Sequence, residues 1–365
     1  MKKLLVLLAA VAFVVSFAIP AMAAEKKKKT MEERVADLEK SSAEWSFYGN
    51  ARMATYFWDV EPEGVEGDTD LQWDLQGNSR LGANAKFGSI GGNVELGLYP
   101  QSGRKGNSEY VRVRRIYGTW NFGGGTLLVG KTYTPLCYFT SNQVADGDDG
   151  LIAYGTPYTD RIPMFMLSMA GLELALVQPK VVNIDDTIFD DTDTNLPRLE
   201  VAYKINLGPA HIKLLGGYQS YDLVAAGHEE SLDAYAYGFG VTAPFGPAYF
   251  KGSLLLGNNV GNLGIVGAGT ASATSATQIV DNDTLAYTAV LGFKASDMLS
   301  FELGYGHMEN EDDVSNATKT EADSYYAQAV INIAKGFFVV PEIGKFDNKG
   351  TQERTYYGAK WQINF

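Results

Sequence analysis

From Leu71 to Phe87 the chain alternates with a period of two. Leu71, Trp73, Leu75, Leu81, Ala83, Ala85 and Phe87 fall on one side of an extended strand, and Gln72, Asp74, Gln76, Asn78, Arg80, Asn84 and Lys86 on the other. About sixteen segments of this kind run from Ser46–Trp58 through Tyr110–Phe122, Leu196–Leu207 and Leu299–His307 to Gln352–Phe365. An even number of strands of this length, each greasy on one face and wet on the other, fits a closed antiparallel barrel in a bilayer. The expected fold is therefore all-β: a transmembrane antiparallel β-barrel of about 16 strands over residues 45–365.

The connections support that reading, because they alternate in length. Gly208-Pro209, Gly246-Pro247, Met169-Ala170-Gly171 and Lys335-Gly336 are very short, whereas 61–70, 185–195, the Gly/Ala/Thr-rich stretch 258–283 and 309–316 are long and mostly acidic. Short turns are expected at the periplasmic rim and long loops outside, a rule that a soluble sandwich does not need. No stretch after residue 23 approaches a membrane helix, and the 40 glycines, 21 tyrosines and 18 phenylalanines suit turns and aromatic strands.

The N-terminal region reads differently. Lys2 and Lys3, an apolar run from Leu4 to Ile19, Pro20, and Ala21 and Ala23 form an export signal over residues 1–23. In residues 24–44, Met31, Val35, Leu38 and Ser42, continued by Trp45, have the spacing of a coiled-coil seam about two heptads long. That segment is either a periplasmic helix joining copies of the chain or a frayed linker.

At the far end, YYGAKWQINF alternates Tyr357, Ala359, Trp361, Ile363 and Phe365 with Gly358, Lys360, Gln362 and Asn364. A last aromatic in lipid beside a carboxylate in water suits a strand at the membrane interface. The strand resembles the signature by which outer-membrane barrels are inserted. Together with WSFYGNARM at 45–53 and RRIYGTWNFGGGTLLVGKTYTP at 114–135, it resembles the Gram-negative trimeric porins, and the DcaP-like group in particular. The resemblance implies a homotrimer in the outer membrane, in contact with its lipid and lipopolysaccharide, passing ions and small polar or charged solutes by passive diffusion. Resemblance to the DcaP-like group further implies negatively charged solutes.

Alternation nominates the groups that meet a passing solute: Asp74, Lys86, Glu95, Glu200, Lys204 and Lys213 line the lumen, with Asn50, Asn84, Asn93 and Gln219 among the neutral ones. The loop Thr134–Tyr158 carries Leu136, Phe139, Leu151 and Ile152 beside Asp146, Asp148 and Asp149. In porins the corresponding loop folds inward, and a loop that stays in water seldom needs so many apolar anchors. Its carboxylates are expected to face Arg52, Arg80, Arg112 and Arg114 across a narrow neck, where opposed charges order water and rank solutes. Arg114 and Arg115 are adjacent, so regular pleating sends one toward lipid, at about 2–4 kcal/mol. A bulge, a subunit interface or a headgroup position each resolve this. An acidic mouth and an arginine wall pull charge preference in opposite directions.

Other functions find less support. A formal charge of -13 argues against nucleic acid as a partner. Cys137 is alone, so no disulfide or clustered cysteine zinc site is expected. The acidic loops read as solvated surface and lack the spacing of a calcium loop, and no cofactor is called for. His211, His228 and His307 sit in no recognisable catalytic arrangement, and Gly-x-Ser-x-Gly is missing. A tethering barrel with a closed lumen is the alternative from another class, and an outer-membrane hydrolase a more remote one.

Overall fold

Each alternating segment becomes a strand because its neighbours satisfy its backbone while its apolar side chains turn outward. The computed structural model describes residues 30–32, 43–63, 67–100, 109–314, 317 and 319–365. The expected export signal, and all but a few residues of the 24–44 segment, lie outside them.

The strands are β1 (Glu44–Pro62), β2 (Asp68–Leu75 and Arg80–Phe87), β3 (Ile90–Pro100), β4 (Glu109–Asn121), β5 (Thr126–Tyr133), β6 (Arg161–Met169), β7 (Leu172–Val177) and β8 (Asp191–Asp193 and Arg198–Leu207). There follow β9 (Ala210–Ala225), β10 (His228–Phe245), β11 (Ala248–Asn258), β12 (Asn282–Lys294), β13 (Leu299–Asp312), β14 (Lys319–Ala334), β15 (Phe337–Asn348) and β16 (Gln352–Asn364). Eighteen hydrogen-bonded segments make sixteen spans, since β2 and β8 are each interrupted once. All pairings are antiparallel, and β16 returns to β1 from Asn50↔Asn364 to Pro62↔Gln352, so the sheet closes. Among the described residues no helix is long and apolar enough to cross a membrane.

Outside, the barrel is apolar. Phe87, Phe245, Phe293 and Phe301 are exposed near the short-turn rim, and Phe57, Trp73, Tyr235 and Tyr357 are exposed toward the other end. On β10, Tyr235 and Phe245 are ten residues apart. At about 3.4 Å per residue and a tilt of about 40°, that separation spans about 25 Å, the height of a lipid-facing band. Five of the short-rim connections are two-residue turns, and those between β4 and β5 and between β12 and β13 have four residues. In Gly208-Pro209, Leu207 pairs with Ala210 and Gly208 takes φ 64°, a conformation open to glycine with proline following.

Two expectations about the loops need correction. On the long-loop side, β9 and β10 are joined by Ala226 and Gly227 alone, and β15 and β16 by residues 349–351. There the ladders continue to the tips, as Ala225↔His228 and Asn348↔Gln352 show, so no loop is left over. Second, the stretches after β7 and β11 do not lie wholly in water, although Asp186, Asp190, Asp191 and Asp193 stay exposed as expected. Phe189, Val260, Leu263 and Ile265 are buried against Leu223, Leu232 and Leu255, which point inward from β9, β10 and β11. A wall that is apolar on its inner face has to be covered, and these two loops cover it.

Candidate functional site

The connection between β5 and β6, residues 134–160, runs inside the barrel as a belt along the wall. Leu136 packs on Ala202 and Leu215, Val144 and Ala145 on Ala54 and Tyr56, and Leu151 on Val290 and Tyr326. The apolar residues that marked this loop in the sequence are its anchors. Where the Tyr138 ring lies against the wall it covers Gly240, at which a Cβ would enter the ring.

Polar contacts follow the same path. The Leu136 amide donates to Glu200 Oε2 at 3.0 Å, the Tyr138 hydroxyl meets Thr242 at 2.8 Å and Thr140 meets Thr288 at 2.8 Å. The Asn142 amide donates to Glu302 Oε1 at 2.8 Å. The Gln143 side chain donates to Ser324 at 3.1 Å and to Tyr356 at 2.9 Å. The Val144 and Ala145 amides each donate to Glu342 at 2.9 Å. The belt therefore passes β8, β10, β12, β13, β14, β15 and β16 in turn.

It reaches β1 and β2 with one helical turn, α1 (Ala145–Asp148). Asp148 is ion-paired with Arg52, and Lys360 donates to its Oδ1 at 3.0 Å. Here β2 breaks: Asn78 has φ 83°, and its side-chain amide donates to the Gly147 carbonyl while Gln76 donates to that of Val144. The same Asn78 accepts from Arg114, and from Arg112 at 3.4 Å. One asparagine thus joins the belt to the arginine wall.

That wall is built on a bulge. Val94 pairs with Ile116, Glu95 with Arg115 and Leu96 with Val113, so Arg114 is the extra residue. A bulge turns two consecutive side chains to one side. Arg114 Nε approaches Glu95 Oε1 at 2.8 Å and Arg115 Nε approaches it at 3.8 Å, both inside the barrel. Arg80 lies 3.6 Å from Glu95 Oε2. The guanidinium of Arg115 sits over the Tyr133 ring at 4.7 Å, and that of Arg161 lies 4.8 Å from the same ring. Of the three ways to place adjacent arginines, the bulge is the one adopted.

Of the residues nominated from sequence, Arg52, Arg80, Arg112, Arg114, Glu95 and Asp148 therefore come together in one network. Asp149 follows α1, and nothing is described of the Asp146 side chain. Asp74, Lys86 and Lys204 are exposed, and Lys213 pairs with Glu173 at 2.8 Å. Glu200 points inward but is sealed: with Arg198, 2.9 Å away, it lies under the belt, so no solute reaches it. Gln219 is likewise roofed, by Lys180 and Asn262. Missed from sequence were Arg115, Lys360, Glu302 and Glu342. The last three occupy inward positions of alternating strands, so parity alone would have placed them.

Comparison with known proteins agrees with this architecture. The profile of the Gram-negative porin family matches residues 8–351. No curated protein sequence matches the chain. Among solved structures, the outer-membrane channel DcaP of Acinetobacter baumannii superposes with a TM-score of 0.70 at 16% identity, covering 89% of this chain and 98% of that one. The trimer form of OmpT, an outer-membrane protein of Vibrio cholerae, gives 0.55 at 16% identity over 89% and 100%. The anion-selective porin of Comamonas acidovorans gives 0.54 at 12% identity over 88% and 100%.

Proposed function

The chain belongs to the Gram-negative porin family, and from that premise we propose that its passage is narrowed between the 134–160 belt and the arginines of β1, β2 and β4, and favours small anions. It is an outer-membrane porin, a channel for passive diffusion. One observation carries the anion preference. Six cations, Arg52, Arg80, Arg112, Arg114, Arg115 and Lys360, stand against the carboxylates Glu95, Asp148, Asp149 and Glu342 among the described side chains around the neck; Arg80, Arg112 and Arg115 are partly exposed, and Arg52, Arg114 and Lys360 act from just beneath the surface. Two of those carboxylates are held in ion pairs with the same cations, which leaves a positive field at the neck.

The neighbours fit this reading, one being an anion-selective porin and another a trimer form. We read this chain as a homotrimer too, carried to the outer membrane by the signal at residues 1–23 and surrounded there by lipid and lipopolysaccharide. Chemical cross-linking of membranes followed by gel electrophoresis tests the trimer. For selectivity, the mature protein in a planar bilayer under a potassium chloride gradient is expected to show a reversal potential of the anion-selective sign. The cation-selective sign overturns the proposal, and a silent, correctly folded barrel would favour a tether instead.

A further inference from the structure

Three carboxylates in the barrel wall touch no solute and yet accept from the belt at successive points. Glu200, Glu302 and Glu342 are at most 5% exposed, on β8, β13 and β15. A buried carboxylate is costly unless its oxygens are fully engaged, and ionised it can only accept. Each of these finds its partners in the loop: the amide of Leu136, the amide and side chain of Asn142, and the amides of Val144 and Ala145. Glu302 also accepts from Tyr249, Tyr326 and Gln328, and Glu342 from Tyr356. Other amides of the loop, such as those of Cys137, Tyr138, Gly150 and Tyr154, are satisfied within the loop itself, but those of Leu136, Asn142, Val144 and Ala145 turn outward to the wall. These four amides are the ones that the wall carboxylates satisfy.

We propose that Glu302 and Glu342, with Glu200 at the root, are positioning residues that set the width of the passage by fixing the path of the belt. The inference rests on the belt being the narrow point, as argued above. Glu342 acts at the decisive place. It holds the first residue of α1, and one helical turn later Asp148 reaches Arg52 and Lys360. With both oxygens engaged by backbone amides, the site has no room for a donor. Glutamine would turn an NH2 group against one of those amides, leaving it unpaired.

The test is single-channel recording of E302Q, E342Q and the double variant, each first shown to keep the heat-dependent gel mobility of a folded barrel. A gain in conductance and loss of the steady open level are expected, largest in the double variant. A tether supplies the control. In a C137S background, Thr140→Cys and Thr288→Cys replace hydroxyls 2.8 Å apart. Oxidation should restore the wild-type open level in the double variant, and dithiothreitol should remove it again. Should the double variant not assemble, the single variants carry the same comparison.

Wild-type conductance and noise in folded E302Q and E342Q barrels would overturn the proposal. So would an oxidised tether that leaves the altered open level unchanged. The sign of the wild-type reversal potential decides the anion reading separately, so either conclusion can fail without the other.

Discussion

Asp148 is the residue at which the belt meets the cations. Asp148→Asn keeps the side-chain shape and removes the charge that answers Arg52 and Lys360. Both then present their charge to the passage, and the reversal potential is expected to move further toward the anion-selective sign. An unchanged value would mean that the pair lies off the path of ions. Cys137 reports on the loop in another way. Burial pushes its thiol up from the ordinary cysteine range, beside the Thr159 hydroxyl at 3.4 Å. A neutral, sealed thiol reacts slowly. In folded barrels Cys137 is expected to resist maleimide and to be labelled fully after denaturation; rapid labelling of the native protein would place the loop in water. At this scale the sequence was legible wherever alternation held. Parity marked Arg52, Arg80, Glu95 and Arg112 as inward, but could not tell a wetted inward group from one sealed beneath a loop, such as Glu200. That difference depends on contacts across more than sixty residues.

The element that sequence left undecided is β4. Its bulge gives a prediction about deletions rather than substitutions. Without Arg114 the ladder becomes regular, with Arg115 still opposite Glu95 and Val113 still opposite Leu96, so the barrel is expected to assemble. Removing Ile116 instead shifts Arg115 opposite Val94, onto the lipid face, at a cost of about 2–4 kcal/mol near midplane. Folding yield and the denaturation midpoint in urea should separate the two deletions, and equal behaviour would rule out the bulge as the reason both arginines point inward. Strand count and the short rim could be read in advance because a period of two and Gly-Pro turns are local signals, whereas the outer strand ends could not. The bulge could not, since a register shift is a property of two strands. The tight β9–β10 and β15–β16 hairpins escaped for a related reason: residues that carry their strands past the apolar band, such as His228–Ser231 and Asp347–Asn348, are polar and resemble loops in composition.

The whole molecule joins two kinds of interior, and the balance between them determines how open it is. One side of the lumen, β1 to β5, carries a charged network, with Arg80, Arg112 and Arg115 partly exposed and Arg52, Arg114 and Glu95 buried within it. The other, from β9 to β13, is apolar inside and depends on the loops after β7 and β11 for its cover. Those loops are tied together, since Lys180 donates to the Gly261 carbonyl at 3.0 Å and the Arg198 side chain to that of Leu263. They also touch the belt, where the Val266 amide donates to the Tyr158 carbonyl at 3.1 Å. Replacing residues 261–279 with two glycines would therefore open the mouth and expose Leu232 and Leu255 to water together. The closed ladder of sixteen strands does not run through this segment, so heat-dependent gel mobility should persist at a lower transition temperature. Conductance should rise, because the removed chain fills the lumen above the belt. Anion preference should be retained, because the arginines stand on β1, β2 and β4, whereas the removed segment joins β11 to β12. A truncated barrel with wild-type conductance would show that the neck alone limits the current. Residues 261–279 carry no charge themselves, so a reversed selectivity would mean that the acidic residues left at the mouth, rather than the arginine wall, read the charge of the solute.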